Sequence, residues 1–270
     1  MRYQIIFEFK GFDFFGSQKQ PDRRTVQGEL EKALNTIIRT LTKDNSISII
    51  MSGRTDAKVS ARYQTAHFDT DNLQLTPEDY DSFLYHINCI LPEDLKILEL
   101  KEVDPNFHAQ KDAKYKHYRY TILNSPVASV FSDCYLFYPY FKLDIDKINQ
   151  ILSYIKGYHD FSAFKSVSDN PYNDCTIYYA KANRKIIENR EYILIDIIGN
   201  RFLYNMIRII VGDILNILRN NLEPELIKQW LEGKTRTQSP NKAEAKGLTL
   251  EYVGYDNVEN YIETLTKEGK

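Results

Sequence analysis

The sequence predicts an α+β protein of two α+β subdomains with mixed or antiparallel sheets, and three observations carry that prediction. Some segments alternate apolar and polar residues, as half-buried strands do, and others repeat apolar residues every three to four positions, as amphipathic helices do. Strand and helix patterns then recur in two similar runs, residues 1–104 and 105–270, joined near Asp104 and Pro105. The 270 residues are 43% hydrophobic and 27% charged, which suits one large domain or two modest ones and excludes a disordered or collagen-like chain.

In the first run, Arg2 to Lys10 alternates, with Tyr3, Ile5, Phe7 and Phe9 facing one way and Arg2, Gln4, Glu8 and Lys10 the other, so it reads as a half-buried strand. Beyond the loop GFDFFGSQKQPDRR, the spacing of Val26, Leu30, Leu34, Ile37, Ile38 and Leu41 predicts an amphipathic helix over 26–42, with Thr25 as its N-cap. A short apolar strand, Ile47 to Met51, runs into SGRTDAKVSARYQTAHF, where polar turn residues interrupt the pattern before a second strand around Gln64 to Phe68. Thr76 and Pro77 open a helix with Glu78 and Asp79 in its first turn and a buried stripe of Tyr80, Phe83, Leu84, Ile87 and Leu91. A strand from Leu95 to Val103 closes the run.

The second run begins with a strand from Lys116 to Leu123 and a helix from Asp144 to Lys156 that Gly157 ends. A hairpin of strands 176–187 and 191–198 follows, then a long helix from about Arg201 to Arg219. A helix near Pro224 to Leu231 and a strand from Leu248 to Tyr255 complete it, leaving ENYIETLTKEGK as a charged tail.

No uncharged apolar run approaches the roughly 20 residues of a membrane span, and the amino terminus lacks the basic start and continuous apolar stretch of a signal peptide. A cytoplasmic location is expected, with no membrane association. Cys89, Cys134 and Cys175 are an odd number of cysteines, far apart, without a CxxC pair or a histidine at ligand spacing, so neither a disulfide framework nor a metal site is expected. The formal net charge of -2 announces no polyanion partner, and a basic face would have to come from clustering. The 20 tyrosines and 14 phenylalanines suit base stacking, but they suit cores and sheet faces equally.

Three constellations have chemical potential. GRTDA puts Asp56 in a polar turn at a strand end, between Arg54 and Lys58, whose charges favour a carboxylate ready to act as nucleophile or general base; a turn cap is the plain alternative. On the helix RFLYNMIRIIVGDILNIL, Leu203, Ile207, Ile210 and Ile214 line one face and Arg208 shares the other with Tyr204, Val211 and Leu215. A buried guanidinium calls for an acidic partner, which the residues leave open between Asp213 and Asp56. In KHYRYTI, alternation sends Tyr118, Tyr120 and Ile122 to one face and His117, Arg119 and Thr121 to the other; a tyrosine there either stacks on a flipped-out base or packs in the core. The loop after the first strand mixes Phe12, Phe14 and Phe15 with Lys19, Arg23 and Arg24, a weak nucleic-acid signal by itself.

Taken in order, FFGSQKQPDRRTVQGELEKAL, SGRTDA, FHAQKDAKYKHYRYTI, FLYNMIRIIVG and GLTLEYVGY resemble the tRNA pseudouridine synthase A family (TruA type) over essentially the whole chain. The resemblance implies the pseudouridine synthase fold, two α+β domains whose sheets meet at a basic cleft, working as a homodimer on the tRNA anticodon stem-loop. It implies isomerisation of uridine to pseudouridine at positions 38, 39 and 40, with neither cofactor nor metal. Asp56 matches the family's catalytic aspartate, and Arg208 the basic residue that pairs with it. Tyr118 matches the tyrosine packing on the target uracil, Leu203 an apolar pocket residue, and Arg54 the residue that assists base flipping. Lys58 stands where the family normally has glycine, Ser60 where many bacterial members have histidine, Gln110 and Cys175 where arginine is common, and Glu244 where proline is usual. The changes at Lys58, Gln110 and Cys175 bear on RNA contacts, and none of the five touches Asp56, Tyr118 or Arg208 in the motifs.

Two other readings compete. A tRNA-binding or tRNA-folding relative with poor turnover and redirected specificity would have little reason to keep Asp56, Tyr118 and Arg208 together. A nucleoside hydrolase would need a second catalytic carboxylate, and none lies near GRTDA.

Overall fold

Strand β1 (Arg2–Phe9) is the spine of the first of two units into which the computed structural model divides: Met1–Ala113 with Leu250–Tyr255, then Lys114–Thr249 with Asp256–Lys270. The structure describes residues 1–41, 46–130, 134–168, 171–234 and 242–268. Sequence periodicity puts the junction near Asp104 and Pro105, whereas the packing divides after Ala113 and returns Leu250–Tyr255 to the first unit.

In the first unit β1 pairs antiparallel with β3 (Ser60–Asp69) on one side and β4 (Leu95–Val103) on the other. The strand order is β4-β1-β3-β10, with β10 (Leu248–Gly254) contributing the residues assigned to this unit and β2 (Ile49–Met51) pairing β3. Gln4 and Ile6 are buried along with Tyr3, Ile5 and Phe7, so β1 is covered on both faces rather than half-buried. Its register is tied at the end by Arg2, whose Nε and Nη2 reach both carboxylate oxygens of Asp69 at 2.7 and 2.8 Å.

Helix α1 (Val26–Leu41) starts where the Thr25 Oγ1 accepts from the Gly28 N–H at 3.2 Å, and buries Val26, Leu30, Leu34 and Ile38 as its spacing predicts; residue 42 lies outside the described residues. A 3-10 turn, Pro77–Asp79, precedes α2 (Tyr80–Ile90), which packs on β4 and α1 through Phe83 and Ile87.

The second unit carries the sheet order β5-β9-β8-β7, from β5 (Tyr115–Leu123), β7 (Gly157–Asp160), β8 (Asp174–Ile187) and β9 (Arg190–Gly199), with the short β6 (Leu136–Phe137) parallel to β5. The β8–β9 hairpin turns on Glu188 and Asn189, both left-handed at φ 49° and 58°, the pair of conformations a tight two-residue hairpin requires. Asp144 caps α3 (Ile145–Tyr154) by accepting from Asp146 and Lys147, and α3 lies along β8. Helix α4 (Met206–Arg219) and α5 (Leu226–Gly233) pack on α3 and on the turn Ser162–Phe164.

Two elements differ from their predicted form. The helix expected from Arg201 begins only at Met206, because Asn205 sits at φ 61°, ψ 8° and breaks the ladder. Its Nδ2 donates to the Ser166 Oγ at 2.9 Å, and the Ser166 N–H donates to the Tyr204 carbonyl at 3.0 Å, so residues 203–205 belong to a loop contact. Leu203 therefore precedes the helix instead of lying on its face. The expected charged tail is instead α6 (Val258–Glu268), whose less exposed residues Val258, Tyr261, Ile262 and Leu265 recur at helical spacing. No described helix is long and apolar enough to cross a membrane.

Candidate active site

The GRTDA segment lies between β2 and β3, and the first unit grips it at several backbone points. The Ser52 N–H donates to the Thr65 carbonyl at 2.8 Å, and the Ser52 hydroxyl donates to Gln64 Oε1 at 2.5 Å. The Gln64 amide in turn donates to the Gly53 carbonyl at 3.1 Å. Thr55 is held by Ser17 from the β1–α1 loop: the Thr55 N–H reaches the Ser17 Oγ at 2.8 Å, and the Ser17 N–H reaches the Thr55 carbonyl at 3.1 Å. Downstream, the Val59 N–H closes a turn on the Asp56 carbonyl at 3.2 Å, and the Ser60 Oγ accepts from the Gly11 N–H at 3.0 Å.

Two glycines make this approach possible. A Cβ on Gly11 would stand 2.3 Å from the Val59 carbonyl oxygen, and one on Gly16, at φ 95°, would stand 3.1 Å from that of Thr55. The result is a half-exposed Asp56 carboxylate on backbone fixed on both sides. Arg54 beside it is exposed and, among the described residues, has no carboxylate or carbonyl partner.

In the second unit, Tyr118 is buried on β5 with its ring edge-on to Phe202, centroids 5.2 Å apart. Lys116, on the same face by alternation, has its ammonium pulled down to about 8 by burial and then by Arg201. Arg208, half-exposed on α4, donates from Nε to the Ala243 carbonyl at 2.9 Å and from Nη1 to Asn205 Oδ1 at 2.8 Å. Leu203 is nearly buried just before the helix, its carbonyl accepting from the Met206 N–H at 3.0 Å.

The other face of β5 is basic in sequence but neutralised in structure. Arg119 Nε and His117 Nε2 lie 2.7 and 2.8 Å from the same Asp196 oxygen on β9, and the His117 Nδ1 lies 2.9 Å from the Tyr261 hydroxyl of α6. Burial works to raise the Asp196 carboxyl, but hydrogen bonds from His117 and Arg119 outweigh it and hold the group below the usual range.

Within each unit, then, the structure joins Arg54 and Asp56 on one clamped loop, and sets Arg208 on Asn205, two residues after Leu203. Ser17 and Gln64 are the side chains holding this loop that sequence reasoning misses; Ser17 is 38 residues from Thr55, and no local pattern links them. Among the described residues no three His, Cys, Asp or Glu side chains come together as metal ligands.

A family model for tRNA pseudouridine synthase matches residues 5–124 and 151–256. The chain belongs to the tRNA pseudouridine synthase family. It is 38% identical over 255 residues to tRNA pseudouridine synthase A of Brevibacillus brevis, covering 94% of this chain and 99% of the relative. It is equally 38% identical over 257 residues to tRNA pseudouridine synthase A of a Geobacillus strain, covering 95% and 99%. The relative named tRNA pseudouridine synthase A 1 of Bacillus cereus strain ZK is 37% identical over 258 residues.

Against the pseudouridine synthase pattern, the departures acquire structural meaning. Lys58 holds φ 68°, a conformation that glycine adopts without strain. Ser60 supplies the acceptor for Gly11. Gln110 is exposed, and Cys175 is fully buried, its thiol pushed up to about 11 chiefly by that burial. At Glu244 the backbone is what matters, its carbonyl accepting from the Tyr120 hydroxyl at 2.8 Å.

Proposed function

We propose that this chain isomerises uridine to pseudouridine in the anticodon stem-loop of tRNA, at positions 38, 39 and 40, with Asp56 as the catalytic carboxylate and no cofactor. The observation that carries this reading is the mounting of Asp56: a half-exposed carboxylate whose flanking backbone is fixed by Ser17, Gln64, Gly11 and Gly16. A preorganised carboxylate suffices for a reaction in which the C1′–N1 bond breaks, the uracil turns without leaving, and a C1′–C5 bond forms, the C5 proton being lost as N1 gains one. Asp56 serves either as nucleophile or as the base that takes a sugar proton.

The remaining roles follow the same reading. Tyr118 packs on the extruded uracil, Leu203 walls its pocket, and Arg208 takes the part of the family's active-site basic residue. Arg54, exposed and uncommitted, fills the space the base vacates. Extrusion costs a few kcal/mol, and a base–aromatic stack worth about 1–3 kcal/mol offsets much of it. We place the reaction in the cytoplasm and the active form as a homodimer, which light scattering should find at twice the 31.7 kDa of one chain.

The test is to incubate the protein with an unmodified tRNA transcript, without metal or nucleotide, and map pseudouridine by carbodiimide labelling and primer extension. Stops at 38, 39 and 40 are expected, and Asp56→Ala should abolish them while transcript binding stays within about tenfold. Pseudouridine formed by Asp56→Ala would overturn the mechanism; binding without turnover on any tRNA would favour a non-catalytic tRNA-folding role.

A further inference from the structure

The basic residues of the β1–α1 loop have unequal commitments. Arg24 is bound into the fold, its Nη atoms on both Asp94 oxygens at 2.7 and 2.8 Å, its Nε on Glu29 at 3.3 Å and its guanidinium over the buried Phe14 ring at 4.2 Å. Lys19 is held by Glu31 at 2.9 Å. Arg23 differs. Its guanidinium lies 4.6 Å from the centroid of the Phe15 ring, and among the described residues it meets no carboxylate and no carbonyl.

Phe15 is 49% exposed, although the same loop buries Phe14. Its mount is rigid: the Phe15 N–H donates to the Arg24 carbonyl at 2.9 Å, and the Gln20 amide donates to the Phe15 carbonyl at 2.7 Å. The next residue is Gly16, whose absent Cβ would stand 3.7 Å from the Asp56 carbonyl carbon, so chain geometry keeps the Phe15 Cα within about 9 Å of that atom.

From this we infer that Phe15 and Arg23 form a nucleotide-stacking platform for the RNA strand beside the uridine presented to Asp56, the ring taking one base and the guanidinium the adjoining phosphate. The inference rests on the proposed function and deepens it by naming a substrate contact. The loop also exposes Asp13 and Asp22, so local charge alone does not select a polyanion. What selects it is the combination of an aromatic face with an unclaimed guanidinium, the pairing that binds single-stranded bases. A protein partner would require roughly 800 Å² of surface, whereas one ring and one guanidinium match one nucleotide.

The test measures equilibrium binding of an unmodified anticodon stem-loop RNA, with thermal melting to verify the fold. Phe15→Ala should weaken binding between about fivefold and a hundredfold, the range for loss of one stacked base, and Phe15→Trp should stay within about threefold of wild type. Arg23→Ala should lower the slope of log affinity against log salt by about one phosphate contact. Phe15→Ala binding within about twofold of wild type, with normal melting, would overturn the platform. The two readings fail separately. Weakened binding by Phe15→Ala in a protein that never forms pseudouridine sinks the proposed function alone, and normal turnover with unchanged binding sinks the platform alone.

Discussion

Lys58 occupies a left-handed backbone conformation that costs a side-chain-bearing residue about 1–2 kcal/mol, against about 0.5–1 kcal/mol of extra chain entropy lost by a glycine. Lys58→Gly should therefore raise the melting temperature by about 1–3 °C, and Lys58→Val should lower it, because a branched Cβ tolerates that conformation least. A fall with glycine would show that the loop is not strained there. Ser17 makes the complementary case. Ser17→Ala leaves the Thr55 N–H buried without its acceptor, a loss of about 1–3 kcal/mol in stability, and frees the backbone next to Asp56. As a positioning residue it should lower kcat at least tenfold while KM stays within about threefold; a matched rise in KM would assign Ser17 to RNA binding instead. GRTDA was legible because its chemistry is contiguous. The Ser17 clamp was not, because a hydroxyl 38 residues away carries no periodicity and meets Thr55 only after β1, α1 and β3 are assembled.

At the scale of the element, β5 illustrates how a correct pattern can suggest the wrong partner. Alternation separates Tyr118 from His117 and Arg119, but both faces are covered, His117 being as buried as Tyr118, and the basic face is answered by Asp196 directly across in β9, in register with Arg119. Asp196→Ala would strand a buried histidine and an arginine, and urea unfolding should show a loss of about 3–5 kcal/mol. Tyr261→Phe, which removes the hydroxyl from His117 and loosens α6, should cost about 1–2 kcal/mol. Equal, negligible effects would mean that α6 is held by its apolar residues alone. Helix α6 was hidden by its polarity, although Val258, Tyr261, Ile262 and Leu265 mark a narrow stripe. The start of α4 was hidden for a different reason: nothing in RFLYN forbids a helix, and the loop bond from Asn205 to Ser166 decides it.

The stability of the whole molecule should sense pH through His67. The ring is buried, its Nδ1 accepts from the Ala109 N–H at 3.1 Å, and burial first, then Arg2 and His108, pull it from 6.5 down to about 4. The unfolded chain therefore binds a proton that the folded protein refuses between those values. The stabilisation is complete above pH 6.5 and falls away as pH drops toward 4, by up to roughly 3 kcal/mol. Urea midpoints at pH 7.5, 6 and 5 should decline in wild type and flatten in His67→Gln; parallel declines would place the titration elsewhere.

The assignment of Leu250–Tyr255 to the first unit also has a temporal consequence. A ribosome that has finished Ala113 must still add residues 114–255 before β10 can join β3, a delay of roughly 7–30 s at ordinary synthesis rates. Throughout that interval the nascent first unit offers an uncovered β-edge to other chains, the kind of surface that chaperones shield. Polar substitution of Leu250 and Val253, which leaves the rest of the chain in place, should accordingly lower soluble yield from rapid synthesis more than it lowers the stability of the purified protein.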